Sequence, residues 1–125
     1  MELKGYFASA NGIGILATAD KDGNTDAAVY ARPHVMDDGT LAFIMNDRLS
    51  HQNLQSNPKA TYLFKEDGGY KGKRLHMIKV REEKDSEQIA ELSRRSPSPE
   101  REQQAKKSKF LVFFKIEKER PLLGG

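Results

Sequence analysis

One polar stretch, Asp47-Arg48-Leu49-Ser50-His51-Gln52-Asn53-Leu54-Gln55-Ser56-Asn57-Pro58, gathers the side chains in this sequence best suited to hold an anion. Only Leu49 and Leu54 are apolar in it, and asparagine followed by proline ends it, which predicts a short surface helix. The start of a helix presents backbone N–H groups that lack an intrahelical acceptor, together with a partial positive charge, and this combination binds phosphate. Arg48 would add a full charge and Ser50 a hydroxyl donor, with His51, Gln52 and Asn53 as further donors in the first turn. From spacing alone, Arg48 and Arg32 read more readily as ordinary surface cations. Ser50 reads equally as a helix N-cap worth about 1 kcal/mol.

Other chemistries find little footing. The chain has no cysteine, which excludes disulfides and thiolate metal sites. His34, His51 and His76 are widely separated with no two at ligand spacing, so no metal site is expected. No nucleophile–base arrangement can be recognised. Gly12-Ile13-Gly14 belongs to a turn and a strand, and with no helix following it is not a dinucleotide fingerprint. Residues 1–66 carry six basic and eight acidic side chains, residues 67–125 fifteen and ten, so the basic character lies in the second half. Its signs alternate, as in Lys79-Val80-Arg81-Glu82-Glu83-Lys84, which reads as solvated surface. A nucleic-acid-binding barrel would need aromatics interleaved with cations, and Tyr70 is the single one among Lys71, Lys73 and Arg74. The N-terminus lacks the pattern of a secretory signal and no apolar run approaches the ~20 residues of a membrane span. A cytoplasmic protein is expected.

The elements that must position these residues are mostly strands. Leu3, Tyr6, Phe7 and Ala10 have helical spacing over residues 2–10, and Asn11-Gly12 suits a C-cap. Ile13–Ala19 reads as a strand, Asp20–Asn24 as a hairpin turn, and Thr25–Met36 as a strand whose Pro33 requires an edge or a bulge. Asp37-Asp38-Gly39 is a second turn, leading to Thr40–Met45, a strand apolar enough to be buried on both faces. After the polar helix come strands Lys59–Glu66, with Ala60, Tyr62 and Phe64 on one face, and Lys73–Lys84, with Leu75, Met77 and Val80 as its apolar members. Asp85 and Gln88 suggest a capped helix placing Ile89 and Leu92 inward. Ser96-Pro97-Ser98-Pro99 breaks it, residues 100–109 read as a mobile loop or marginal helix, Phe110–Ile116 as a last strand, and 120–125 as a tail. The expectation is one domain over 1–125, mainly β: a six-stranded antiparallel split barrel of Greek-key type with two or three short helices. Hydrophobic content of 37% is lean for so short a chain, which favours burial against a second copy.

This order of elements, with the words Asp38-Gly39-Thr40-Leu41 and Asn53-Leu54-Gln55-Ser56-Asn57-Pro58, resembles the split barrels related to pyridoxamine 5'-phosphate oxidase over nearly the whole chain. The resemblance implies a homodimer with flavin mononucleotide (FMN) in two equivalent clefts at the subunit interface. The family's second strand carries an arginine and a lysine on the flavin phosphate. The lysine position falls on Arg32, and the arginine position on Ala27. The family's Ser-Arg-Lys-like word falls on Arg48, Leu49 and Ser50. By position, Val29, Tyr30 and Ala31 of the second strand and Ile44, Met45 and Asn46 of the third would flank the flavin ring.

What the resemblance implies is an FMN-binding protein acting as a flavin-dependent oxidoreductase or electron-transfer protein, with the redox step supplied by the cofactor. The sequence given ends at Pro121-Leu122-Leu123-Gly124-Gly125 without the family's C-terminal arginine- and histidine-bearing segment, which speaks against a true pyridoxamine 5'-phosphate oxidase. A split barrel holding haem or a deazaflavin without redox turnover is the alternative, and a nucleic-acid-binding barrel a more distant one.

Overall fold

The computed structural model describes residues 3–95 and 109–124. Among these the chain forms α1 (Leu3–Ser9), β1 (Gly12–Ala19), β2 (Thr25–Val29), β3 (His34–Val35), β4 (Leu41–Asn46), α2 (Leu49–Ser56), β5 (Lys59–Glu66), β6 (Gly72–Lys84), α3 (Glu87–Arg95) and β7 (Lys109–Pro121). The strands make one antiparallel sheet in the order β2-β1-β5-β6-β7-β4-β3. Its two edge strands, β2 and β3, are consecutive in sequence and joined only by residues 30–33. So short a link reaches under about 20 Å, so the sheet must curl until its edges approach. The result is a split barrel, open along the seam between β2 and β3.

The described residues hold seven strands where six are expected, because the strand read over Thr25–Met36 breaks in two. Pro33 has no N–H to give to a ladder. The chain leaves β1 after Val29 and pairs with β4 only at His34 and Val35. The two-residue alternation of β4 and β7 divides the core into two clusters. Leu41, Phe43, Met45, Val112 and Phe114 face the barrel interior with Leu16, Tyr62, Phe64, Leu75 and Met77. Ala42, Leu111 and Phe113 face outward and are covered by Ile89 and Leu92 of α3. The β4 strand is thus buried on both faces, as its apolar run indicates.

Local departures from the sequence reading have simple causes. Ser86, not Asp85, caps α3, its Oγ accepting the Gln88 N–H at 3.1 Å. Asp85 instead has φ 49° and accepts the Lys109 N–H on Oδ1 at 3.0 Å. Val80 falls at a register shift between Lys79 and Arg81 and is 50% exposed, so it does not extend the core. The expected tail begins later, since β7 takes in Arg120 and Pro121. The loop expected over 100–109 lies outside the described residues except for Lys109, which opens β7. Among the described residues no helix is long and apolar enough to cross a membrane.

The seam is held from inside the barrel. The Tyr62 hydroxyl, on a fully buried side chain, hydrogen-bonds the carbonyls of both Tyr30 and Ala31 at 3.1 Å. The Tyr30 N–H donates to the Gly14 carbonyl at 2.9 Å. Burial pushes the Tyr62 phenol above its ordinary range, against the opposing pull of Arg32, so the hydroxyl keeps its proton and its donor role. It reaches the link only because Gly14 has no side chain: a Cβ there would sit 1.8 Å from the Tyr62 hydroxyl oxygen and 2.7 Å from the Tyr30 carbonyl. Gly14→Ala should therefore cost at least about 2 kcal/mol by overpacking. Tyr62→Phe, which keeps the shape and loses one buried hydrogen bond, should cost about 1 kcal/mol. Denaturant unfolding of both variants measures the difference, and equal costs would show that the clash at Gly14 is relieved without strain.

Candidate cofactor groove

An open groove of about 1240 Å³ runs over this seam, its walls supplied by α1, residues 26–37, β4, the start of α2 and one side of α3. Nine of the positions that sequence reading nominates line it: Val29, Tyr30, Ala31, Arg32, Ile44, Asn46, Arg48, Leu49 and Ser50. Three do not. Met45 points into the barrel core and is 1% exposed. His51 and Asn53, nominated as first-turn donors, turn inward with α2's buried face. Asn53 donates from Nδ2 to Thr18 Oγ1 at 3.0 Å, fastening the helix to β1. His51 stacks on Phe110 with ring centroids 3.8 Å apart.

The start of α2 is the most distinctive part of the groove. Arg48 occupies the N-cap in an extended conformation and makes no side-chain cap bond. Serine, threonine, asparagine or aspartate would ordinarily occupy that place and satisfy the first-turn N–H groups. The first turn holds no acidic residue either. Its backbone donors at Leu49, Ser50 and His51 therefore have neither an intrahelical nor a side-chain cap acceptor, and Arg48 stands beside them. Ser50 is not the N-cap. It is 5% exposed and hydrogen-bonds the Tyr30 hydroxyl. Burial raises the Tyr30 phenol above its ordinary range, although the Ser50 bond and the Arg48 charge pull the other way. Tyr30 is thus a neutral donor at neutral pH.

Arg32 has a different employment from the one the sequence suggests. Its Nη1 donates to the carbonyls of Phe7 and Ala10, which are C-terminal carbonyls of α1 left without intrahelical donors. A cation there also complements the helix dipole. Arg32 lines the groove, yet Nη1 serves α1, and Arg48 is left as the cation at the α2 end.

The opposite end is built by residues that no local pattern marks as a site. Lys4 and Asp37, 3.6 Å apart, His34, Gln88 and Glu91 line it. They come from α1, β3 and the turn after it, and α3, and only the curling of the sheet brings them together. Along the wall, Asn46 Oδ1 is a buried acceptor with no hydrogen-bond partner. Among the described residues no three His, Cys, Asp or Glu side chains converge as a metal site.

Behind the groove, Glu82 of β6 gathers donors from three side chains. Lys79 donates at 2.6 Å, Gln55 at 3.0 Å and His51 Nε2 lies 3.0 Å away. Burial alone would raise this carboxyl, but the three hydrogen bonds outweigh it and hold it at about 2 against an ordinary 4.5. A depressed carboxyl contributes stability in full above its unfolded value and loses it as pH falls through the folded value. Stability should fall between about pH 4.5 and pH 2. Glu82→Gln should flatten that part of the profile while lowering stability at pH 7. Thermal melts across the range test this, and an unchanged acid limb in the variant would remove Glu82 as its source.

No family model and no curated protein matches the sequence. Solved structures do match its fold. An FMN-binding protein from Syntrophomonas wolfei subsp. wolfei superposes with a TM-score of 0.77 at 16% identity, over 98% of this chain and 84% of that one. HutZ, described as a haem storage protein, from Vibrio cholerae gives 0.71 at 17% identity over 95% and 91%. An F420 reductase gives 0.68 at 16% identity over 96% and 98%. The chain has the fold of these split barrels, the architecture to which its sequence bears the resemblance.

Proposed function

We propose that the groove binds flavin mononucleotide with its phosphate at the start of α2, and that the protein works as a flavin-dependent oxidoreductase or electron-transfer protein. The observation that carries this reading is the uncapped first turn of α2, flanked by Arg48 and Ser50 and opening into the groove. Arg48 and the N–H groups of the turn would hold the phosphate. Val29, Ala31 and Ile44 would give the ring apolar contact, and Asn46 an acceptor. When bound, flavin supplies hydride or single-electron transfer, and the protein's part is to hold, orient and shield it. Val29 and Leu49 are 69% and 51% exposed on the groove's rim, which supports a second copy covering the groove in a homodimer.

A second reading, haem in the same groove, has one observation in its favour: His34 lines the groove and could offer an imidazole to iron. The two readings separate in a titration of the purified protein with FMN, riboflavin and haemin. FMN binding should quench flavin fluorescence and raise Tm, and riboflavin, lacking the phosphate, should bind more weakly. Arg48→Ala should weaken FMN about tenfold or more, the scale of a charge-assisted hydrogen bond, with Lys21→Ala unchanged. A Soret shift with haemin that is lost in His34→Ala, alongside no response to FMN, would overturn the flavin reading. Equal FMN affinity in the two cation variants would remove Arg48 from the site.

A further inference from the structure

His51 has an arrangement that phosphate binding does not use. It is 5% exposed and lies beneath the first turn of α2, with its ring flat against Phe110 of β7 at an interplanar angle of 19°. Nδ1 faces Asp47 Oδ1 of the β4–α2 turn at 2.9 Å. Nε2 faces two groups of opposite hydrogen-bonding character. Glu82 Oε2 of β6 lies at 3.0 Å and its Oε1 at 3.2 Å, while Gln55 Nε2 of α2 lies at 3.1 Å. A further charged neighbour is Lys79 of β6, which reaches the cluster through Glu82.

A neutral imidazole carries one N–H and one acceptor nitrogen, whereas an imidazolium carries two donors. Both ring nitrogens meet carboxylate oxygens; in the tautomer that keeps the hydrogen on Nδ1, the difference falls on Nε2. With a proton, Nε2 donates to Glu82. Without one, its lone pair faces a carboxylate, which repels it, and an amide N–H, which can bond it. The amide's orientation is fixed by two further acceptors, the His51 carbonyl at 3.1 Å and Glu82 Oε1 at 3.0 Å. Gln55 has only two N–H bonds for these three acceptors, so turning one toward Nε2 draws it from Glu82 or from its own helix. The His51 link from α2 to Glu82 therefore depends on the proton at Nε2, and the Gln55 link competes with it for the same amide.

We propose that His51 is a proton-operated positioning residue, which when protonated ties the N-terminal turn of α2 to β6 through Glu82 and when neutral passes Nε2 to Gln55 and loosens that turn. The clamp stands on this geometry alone, and its consequence for a ligand rests on the flavin reading: the turn held by His51 is the one proposed to hold the phosphate. Amide hydrogen exchange of the unliganded protein between pH 5.5 and 8.5, corrected for intrinsic rates, tests the clamp without any ligand. Protection at Gln52 and Asn53 should fall about tenfold as pH rises, the scale of one lost hydrogen bond, while β5 stays constant. His51→Gln and Glu82→Gln should each abolish the pH dependence, the second serving if the first does not fold. FMN affinity measured over the same range should weaken in parallel. Protection of α2 that is flat in the native protein, or that varies equally in Glu82→Gln, would overturn the proposal. A pH-dependent clamp in a protein that does not bind FMN would uphold it and retire the flavin reading.

Discussion

The groove depends on one hydroxyl reaching through one missing methyl group. Tyr62 passes over Gly14 to the carbonyls of Tyr30 and Ala31, and those two residues begin the link that brings the sheet's edges together. Without a hydrogen bond from inside, the two carbonyls would turn unsatisfied polar groups toward an aromatic interior formed by Phe7, Phe43 and Phe64 around Tyr62, an arrangement that costs more than the bond itself contributes. With it, the link is fixed close enough for its next side chains to do separate jobs. Tyr30 packs edge-on to Phe43 and meets Ser50, so the link is coupled to α2. Arg32 takes the C-terminal carbonyls of α1, so the same link also secures the helix that closes one wall. The groove is what remains between these attachments.

α2 shows how a helix with little apolar surface can still be held firmly. Leu54 alone enters the main core, and the rest of the buried face is polar: Ser50, His51 and Asn53. Each has a specific partner on a different element, namely Tyr30 of the link, Glu82 of β6 and Thr18 of β1. Directional bonds replace hydrophobic burial here, and they fix the axial rotation of the helix as apolar contacts alone would not. The consequence appears at the N-terminus. With Ser50 and His51 directed inward, neither folds back to cap the backbone, and the uncapped N–H groups are left at the groove.

Much of the architecture is legible in the sequence because it rests on local rules. The apolar run at 40–45 becomes a strand buried on both faces, the Asp/Gly turns become hairpins with Gly23 and Gly39 at φ 88° and 87°, and the polar helix ends at Asn57. The departures are also physical. Pro33 had been read as an edge or bulge signal, and the chain goes further and parts there into two strands on opposite edges. Asp85 and Ser86 are both capping residues by type, and which one caps is decided by the pairing of Asp85 with Lys109, twenty-four positions away. The site shows the same limit more sharply. Arg32 and His51 are the right types at nominated positions, but the carbonyls that Arg32 serves lie 22 and 25 residues away and Glu82 lies 31 from His51, and no spacing rule reaches them. The α3 end of the groove carries no local signal at all, since its residues converge only when the sheet curls.

The polar groups along the groove are unevenly distributed, and this bears on what it can hold. At the α2 end donors and a cation dominate: Arg48, the uncapped N–H groups and Tyr30, which burial keeps protonated, with Asn46 Oδ1, two residues before Arg48, as an unpartnered acceptor. Asp26, further along β2, is the acidic exception on that side. At the α1–α3 end the charges are mixed, with Lys4 beside Asp37, and Glu91 on the same wall. A compact anion would use only the first end, and an uncharged apolar ligand would leave the donors there unpaired, at a cost of about 1–3 kcal/mol for each buried one. The distribution instead suits an elongated ligand with an anionic tail and a flat, mostly apolar body carrying a few polar edges. Such a ligand would enter in one orientation, because reversing it would set its anion against Asp37 and Glu91 and leave α2's first turn empty. Orientation of this kind is what a protein must supply when the reactive chemistry belongs to a bound cofactor.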